Sequence, residues 1–271
     1  MAVASVTATG RMRLNARTVR ERWLRVIAPI VVGLIVLGGW QFLVSVAGVS
    51  DYLLPSPASI AAQFVEFGPA ILSATVITGT NALVGLVVGA LLGIVLAALA
   101  SRWRILDMMS APVIASLAVI PIVALAPVLN SMFGADSQFG RQAIAALASF
   151  VPVFLNTLRG LRQVIPVHRD LMRAYAAKGG QILRAVTLPT ALPFVFTGIR
   201  IASSLAVISA LVAEYFGGPR GGLGGLISTS AATSAYARAW AYVFAAILLG
   251  LLFYLVTLLL ERLATRRRGG D

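Results

Sequence analysis

Long apolar stretches alternate with short polar or basic stretches along almost the whole chain. A helix needs about 20 apolar residues to cross the hydrocarbon core of a bilayer. Six stretches approach this length, and they predict membrane-spanning helices at roughly 26–47, 82–101, 108–130, 141–158, 192–213 and 240–260. The pattern therefore predicts an all-α polytopic membrane protein with about six transmembrane helices.

Prolines and polar loops add detail to this pattern. Pro112, Pro121 and Pro127 interrupt the third span, and proline inside a membrane helix usually produces a kink that neighbouring helices cover. We expect the third and fifth spans to lie inside the protein. Residues 53–67 predict a short interfacial helix capped by Ser56 or Ser59. The glycine-rich residues 217–239 predict a re-entrant or interfacial loop.

Composition excludes most soluble classes of protein. Hydrophobic residues make up 59% and charged residues 11%, whereas soluble domains carry about 25% charged residues. The mean hydropathy is +0.93. The net charge of +13 is not a sign of nucleic-acid binding, because the basic residues cluster between apolar stretches without interleaved aromatic residues.

The distribution of basic residues predicts the orientation. Every lysine and arginine falls on one side of the predicted spans except Arg141, Arg200, Arg220 and Arg238. Because cytoplasmic loops carry the excess of Lys and Arg, this side is predicted to be cytoplasmic, with both termini on it. The even number of spans gives the same answer.

The residues needed for catalysis or metal binding are missing from the sequence. There is no cysteine, one histidine (His168), and one lysine (Lys178), which lies in no phosphate-binding loop. We expect no catalytic site, no metal site and no cofactor, and therefore no ATP hydrolysis by this chain alone. Charged or polar residues within the predicted spans are candidates for a translocation path or for interhelical hydrogen bonds, namely Arg200, Ser203, Ser204 and Glu214.

The segment between the fourth and fifth spans, residues 159–193, is too long for a simple connection. Pro166 ends the preceding segment, and Leu171, Met172 and Tyr175 share one face of a short helix that begins near Asp170. Gly179-Gly180 is predicted to break this helix. A second helical pattern, carried by Ile182, Leu183 and Val186, is predicted to end at Pro189. The predicted basic helix–turn–helix needs a partner for its apolar face.

This segment resembles the cytoplasmic signature of binding-protein-dependent ABC importer permeases. The signature is Glu-Ala-Ala, three residues, Gly, nine residues, Ile, one residue and Leu-Pro. With Leu188-Pro189 as anchor, Val186 stands at the Ile position, Ala176 at the Gly position and Asp170 at the Glu position. The stretches VIPIVALAPVLNSMFG, FVPVFLNTLRGLRQV and AYAAKGGQILRAVTLPTALPFVFTGIRIASSLAVISALVAEYFGG, and GLGGLI in the outer loop, are similar to the nitrate/sulfonate/taurine-type branch.

The resemblance implies a type I ABC importer permease that forms the solute path and works as a dimer, expected to be a homodimer. It implies partners as well: a separate cytoplasmic ATPase subunit and an external solute-binding protein. The signature positions imply contact with the ATPase for Asp170, Arg173, Ala174, Tyr175, Ala177, Lys178, Gly179, Gly180, Leu188 and Pro189. Because Ala176 lacks the freedom of glycine, we expect the turn to move to Gly179-Gly180.

This interpretation divides the chain into four parts. They are a basic cytoplasmic segment (1–25), a first span with an outer interfacial helix (26–80), a permease core with the coupling loop 159–190 (81–262), and a cytoplasmic tail (263–271). A self-sufficient secondary carrier or channel is the alternative function. A sulfonate, nitrate, riboflavin, or a thiamine or pyrimidine precursor all remain open as the solute.

Overall fold

A computed structural model describes residues 27–46, 48–50, 52, 54–134, 137–217 and 221–266. These residues form helices and connecting turns, with no strand among them. The basic N-terminal segment 1–25 and the last tail residues, 267–271, lie outside the described part. The helices are α1 (Ile27–Val46), α2 (Pro57–Glu66), α3 (Gly68–Arg102), α4 (Arg104–Val119), α5 (Ile122–Phe133), α6 (Phe139–Arg162), α7 (Pro166–Ala174), α8 (Gly179–Ile182), α9 (Leu188–Phe216), α10 (Leu223–Ala232) and α11 (Tyr236–Arg266).

Five helical segments of the described chain are long and apolar enough to cross a membrane, and the bent pair α4–α5 makes a sixth if the two helices count as one broken span. The all-α prediction is confirmed. The second span begins at Gly68, not near residue 82, so the predicted boundary at residue 80 falls inside α3. The first turns of α3 contain several polar residues, which lower the mean hydropathy there, namely Ser73, Thr75, Thr78 and Asn81. The apolar pattern therefore predicted too late a start for this helix. At the other end of the chain, α11 continues past residue 262.

The chain divides into two compact units, residues 1–62 and 63–271. In the first unit, α1 is almost entirely exposed. Gln41 of α1 accepts a hydrogen bond from the Ala58 N–H at the start of α2, at 3.1 Å. The Oγ atom of Ser56 accepts the Ser59 N–H at 3.1 Å, so the predicted cap of this helix is Ser56.

In the second unit, α6 lies between α3 and α9, and glycines bring the three helices close together. Gly89 of α3 faces Ala146 and Ser149 of α6 so tightly that a Cβ atom would overlap the Ala146 carbonyl oxygen. On the other side of α6, Gly198 of α9 packs against the backbone at Pro152, where a Cβ atom would approach to 3.1 Å. Small residues at such contacts let membrane helices pack backbone against backbone.

The third predicted span is two helices that meet at 90°. Ile120 and Pro121 are both extended, with ψ values of 120° and 103°. Ile120 avoids helical angles because the ring of the following proline crowds its backbone. Within the single chain, α4 buries only Ile114 and α5 buries only Ala126 and Asn130 among their described side chains. The expected interior position of this span is therefore not found within one chain.

Candidate functional site

The segment between α6 and α9 contains a short helix whose apolar side is exposed. Pro166 occupies the first turn of α7, and Ile165 before it is extended. Val167, Leu171 and Tyr175 follow one another at a spacing of four residues and are 69%, 54% and 78% exposed. The predicted amphipathic helix is confirmed, and Val167 is a further member of its apolar face that was not predicted from the sequence. Such a stripe needs a partner outside the single chain.

The turn after α7 lies at Ala176, not at Gly179-Gly180. Ala176 has a φ of 54°, its N–H donates to the Arg173 carbonyl at 2.8 Å, and the Ala177 N–H donates to the Met172 carbonyl at 2.9 Å. This pair of bonds is the Schellman arrangement, in which the residue after the C-cap adopts the left-handed conformation. The prediction that the turn moves away from Ala176 is wrong, because these two backbone bonds hold alanine in a conformation that glycine adopts more readily.

Gly179 and Gly180 begin the next helix instead of breaking the previous one. The Lys178 N–H donates to Gln181 Oε1 at 2.7 Å at the start of α8. The prediction that a helix ends at Pro189 is also wrong, because α8 continues through a π-helical turn, Leu183–Thr187, into α9. Proline lacks an N–H and crowds the preceding turn, and the wider π-turn accommodates it. Residues 179–216 are thus one continuous span.

The structure places the predicted ATPase-contacting residues mostly on the surface. Arg173 Nη1 and Asp170 Oδ1 form an exposed ion pair at 3.3 Å. The exposed members of the set are Asp170, Arg173, Ala174, Tyr175, Lys178, Gly179, Gly180 and Leu188, whereas Ala177 and Pro189 are half-buried. An open cleft of about 480 Å³ joins Arg173 and Gly179-Gly180 to Arg102 at the end of α3. We call this end of the helices the loop end.

Three of the four predicted path residues lie where α9 meets α11. Arg200 Nη1 pairs with Glu261 Oε2 of α11 at 2.9 Å. The buried Ser203 hydroxyl donates to the Arg200 carbonyl at 2.8 Å and contacts the Thr257 hydroxyl of α11 at 3.1 Å. Ser204, half-buried, lines an apolar groove between α9 and α11. These side chains of α9 thus lie at its contact with α11.

Glu214, the fourth, is only 1% exposed and lies at the opposite end of α9 from the loop end. Its Oε2 atom accepts the Thr78 hydroxyl at 2.7 Å and the Gly224 N–H at 3.2 Å. Its Oε1 atom accepts Asn81 Nδ2 at 3.2 Å. A Cβ atom at Gly222 would overlap the carboxylate, so a side chain there would have to displace Glu214 from its present position. One carboxylate thus joins α3, α9 and α10.

Polar side chains of α3 and α6 extend this arrangement. Gln138 Oε1 accepts Asn81 Nδ2 at 2.9 Å and Arg141 Nη1 at 2.8 Å, and Gln142 Nε2 donates to Asn81 Oδ1 at 3.3 Å. Arg141 is 1% exposed. We call the residues Thr78, Asn81, Gln138, Arg141, Gln142 and Glu214 the polar cluster, and its side of the bundle the cluster end.

Apart from Glu214 and Asn81, a polar residue that the sequence also offers for a path or an interhelical hydrogen bond, the polar cluster was not predicted from the sequence. Arg141 was expected on the outer side, at the margin of the fourth span, whereas its side chain is buried in the first turn of α6. The available signal was the spacing of Gln138, Arg141 and Gln142, which puts three polar side chains on one helical face. No group of three His, Cys, Asp or Glu side chains suited to a metal ion occurs among the described residues.

Comparison of the sequence with known proteins shows to which family the chain belongs. Residues 89–269 match the family described as the binding-protein-dependent transport system inner membrane component. A riboflavin transport system permease protein, RibX, of Chloroflexus aurantiacus is 31% identical over 91% of this chain and 92% of its own length. A formylaminopyrimidine transport permease protein, ThiX, of Halalkalibacterium halodurans is 30% identical over 74% of this chain and 80% of its own.

Two further similarities agree with these. A putative aliphatic sulfonates transport permease protein, SsuC, of Escherichia coli is 30% identical over 72% of this chain and 74% of its own. The crystal structure of an amino acid ABC transporter with histidines shares the fold, with a TM-score of 0.58, 16% identity, and coverage of 75% of this chain and 96% of the other.

Members of this family are inner-membrane permease subunits that work with a separate ATPase and a binding protein, and they are not themselves enzymes. The predicted resemblance is therefore confirmed, and the alternative of a self-sufficient carrier or channel is set aside. The chain belongs to the binding-protein-dependent transport system inner membrane components, and it is the membrane permease subunit of an ABC importer.

Proposed function

We propose that α7 and the turn at Ala176 form the segment through which an ATPase subunit drives this permease. The observation that carries the proposal is the exposed stripe of Val167, Leu171 and Tyr175. A short helix with one apolar side gains free energy by lying in a groove of another protein, and side chains at i, i+4 and i+8 anchor it there. The exposed Asp170–Arg173 pair flanks this face and supplies polar contacts at its edge.

The movement has a continuous path into the membrane. Residues 179–216 form one helical span, which at 1.5 Å per residue reaches about 57 Å from the loop end to the cluster end. A displacement of α7 by the ATPase moves α8 through the four residues that connect them. Alternating access then follows from rigid-body movement of α9 and α6, with ATP binding shifting the balance between two conformations.

We also propose the assembly and orientation. Two copies of the chain pair in the membrane, and each contacts its own ATPase subunit through α7. The loop end faces the cytoplasm, as do both termini, because almost all basic residues flank the spans on that side. The cluster end then faces the external binding protein. The chain itself carries no cofactor in this proposal.

The solute is proposed as a small polar molecule delivered by that binding protein. Relatives are described as permeases for riboflavin, formylaminopyrimidine and aliphatic sulfonates, so a heterocyclic vitamin or precursor and an organic anion are the two classes to test first. A thermal-shift screen of the cognate binding protein with riboflavin, formylaminopyrimidine, alkylsulfonates and nitrate identifies the class. A rise in melting temperature with none of them contradicts the solute proposal.

Coupling is tested by transport and ATP hydrolysis in proteoliposomes that hold the permease, its ATPase and the binding protein. Tyr175→Asp places a charge in the apolar face, and Ala174→Pro removes backbone hydrogen bonds of α7. Both variants are expected to lose uptake and ATPase association while remaining folded in the membrane. Val65→Asp changes a side chain that is 80% exposed on α2, outside the membrane-spanning helices, and serves as the control for adding a charge. Normal uptake by the two α7 variants would falsify the coupling assignment.

A further inference from the structure

The polar cluster contains two buried opposite charges that do not touch. Among the ion pairs of the described residues, none joins Arg141 to Glu214, although the guanidinium lies within electrostatic range of the carboxylate. The carboxylate is bonded to Thr78, Asn81 and Gly224 instead. Buried charges of opposite sign normally pair directly, because a low dielectric strengthens their attraction.

Two nitrogens of the Arg141 guanidinium have no hydrogen-bond acceptor. Its Nη1 atom donates to Gln138, but its Nε and Nη2 atoms are buried without a hydrogen-bond partner. A buried donor without an acceptor is costly, and the guanidinium fork suits a carboxylate with two parallel bonds. The two unused nitrogens, Nε and Nη2, form one edge of that fork.

We propose that Glu214 and Arg141 form a latch that exchanges partners during transport. In the conformation described, which the proposal takes as the closed state of the cluster end, Glu214 holds α10 and α3 against α9. When α9 moves, the carboxylate leaves Thr78 and Gly224 and accepts the free Nε–H and Nη2–H donors of Arg141. This inference rests on the proposed function, since it uses the movement of α9 that the ATPase supplies.

The exchange keeps the two conformations close in free energy. A transporter needs two states that a ligand or ATP can interconvert, and the shift available is limited to the difference in binding affinity between the two states. If Glu214 left its present donors without a new partner, the open state would contain an uncompensated buried charge. Arg141 supplies that partner from α6. The unused donors in the closed state and the loss of the Thr78 and Gly224 bonds in the open state offset each other.

A single cysteine reports the position of α10 in the assembled transporter. The chain has no cysteine of its own, and Ser230 of α10 is only 6% exposed, so Ser230→Cys adds one small, shielded thiol. The measurement is its rate of maleimide labelling with the ATPase and binding protein present. Thr78→Val removes two bonds of the closed state, the one that the Thr78 hydroxyl donates to Glu214 and the one that it accepts from the Leu223 N–H of α10. Arg141→Gln removes donors that are used fully only in the open state.

The two variants are expected to act in opposite directions. Thr78→Val raises the labelling rate and the solute-independent ATPase rate by at least about tenfold, because the bond to the charged carboxylate is lost together with the bond from the Leu223 N–H. Arg141→Gln lowers both. If the cluster only supports the fold, both variants loosen it, and both increase labelling. Faster labelling in Arg141→Gln therefore overturns the latch.

Asp136 is a competing acceptor that must be tested, since it precedes Arg141 by five residues and lies outside the described residues. Asp136→Asn is expected to leave labelling and hydrolysis unchanged. If it reproduces Arg141→Gln, the guanidinium serves Asp136 and the latch is wrong. Failure of the proposed function is distinguishable, because it shows as normal uptake and ATPase association in Tyr175→Asp and Ala174→Pro, whatever the labelling rate of Ser230→Cys.

Discussion

The helix from Gly179 to Phe216 has two ends whose surroundings differ in exposure and in hydrogen bonding. At the loop end, the neighbouring α7 exposes an apolar stripe, and the charged pair Asp170–Arg173 lies in water. At the cluster end, Glu214 has hydrogen bonds from α3 and α10 and almost no exposure. The chain satisfies Glu214 at the cluster end with its own groups, whereas in our proposal the apolar stripe at the loop end is covered by the ATPase subunit. Stability and coupling should therefore respond separately to mutation.

The largest expected effect sharpens this contrast. Glu214→Ala leaves the buried Arg141 without a nearby opposite charge and removes the acceptor of the Thr78 hydroxyl and of the Gly224 N–H. We expect a loss of about 3–5 kcal/mol in the free energy of unfolding. Leu171→Ala at the loop end should cost under about 0.5 kcal/mol, because the side chain is already exposed. Detergent-solubilised permease is unfolded in mixed SDS micelles to measure both.

Glu214→Gln is the matched control for the charge, since it keeps the shape and one acceptor oxygen. It should cost less than Glu214→Ala. Equal losses for Leu171→Ala and Glu214→Ala would remove the distinction between the two ends.

An intermediate effect is expected between the ends, where α3 meets α6. Gly89→Ala places a Cβ atom against the Ala146 carbonyl, and the backbone shift should cost about 1–3 kcal/mol. Gly79→Ala lies ten residues earlier in the same helix, and its Cβ atom would make an ordinary contact, at 3.5 Å from Leu249. That control should be neutral or stabilising, since alanine is the better helix former. Melting temperatures of the two variants, compared in one detergent, test this prediction. Gly89→Ala should lower the melting temperature and Gly79→Ala should not.

The sequence predicted the loop end better than the cluster end, for a physical reason. The helical spacing of Leu171 and Tyr175 is local, so the amphipathic helix follows from the order of the residues alone. The Thr78–Glu214 hydrogen bond joins residues 136 positions apart, and nothing local in the sequence specifies it. The turn at Ala176 was wrongly placed because residue preference pointed to the glycines, whereas the backbone hydrogen bonds of the preceding helix determine where the chain reverses.

The smallest change in stability is expected at two left-handed turns of the same geometry, one at Ala176 and one at Ser234. Ser234 has a φ of 60° and follows α10 with the same two bonds, Ser234 N–H to the Ala231 carbonyl and Ala235 N–H to the Ser230 carbonyl. Ala176 and Ser234 are therefore equivalent left-handed residues, one at the loop end and one after α10. Glycine relieves the strain of this conformation but makes the unfolded chain more flexible.

Ala176→Gly and Ser234→Gly are each expected to raise the free energy of unfolding by at most about 1 kcal/mol, and by similar amounts, because the local geometry is the same. Thermal unfolding of the permease alone gives this comparison. Titration of each variant with the ATPase measures a second property, the affinity of the permease for the ATPase. Only Ala176→Gly is expected to change this affinity, because only that turn adjoins the exposed stripe. A stability change confined to Ser234→Gly would mean that the turn at Ala176 forms only on the ATPase. The loop end would then be shaped by its partner and not by the chain.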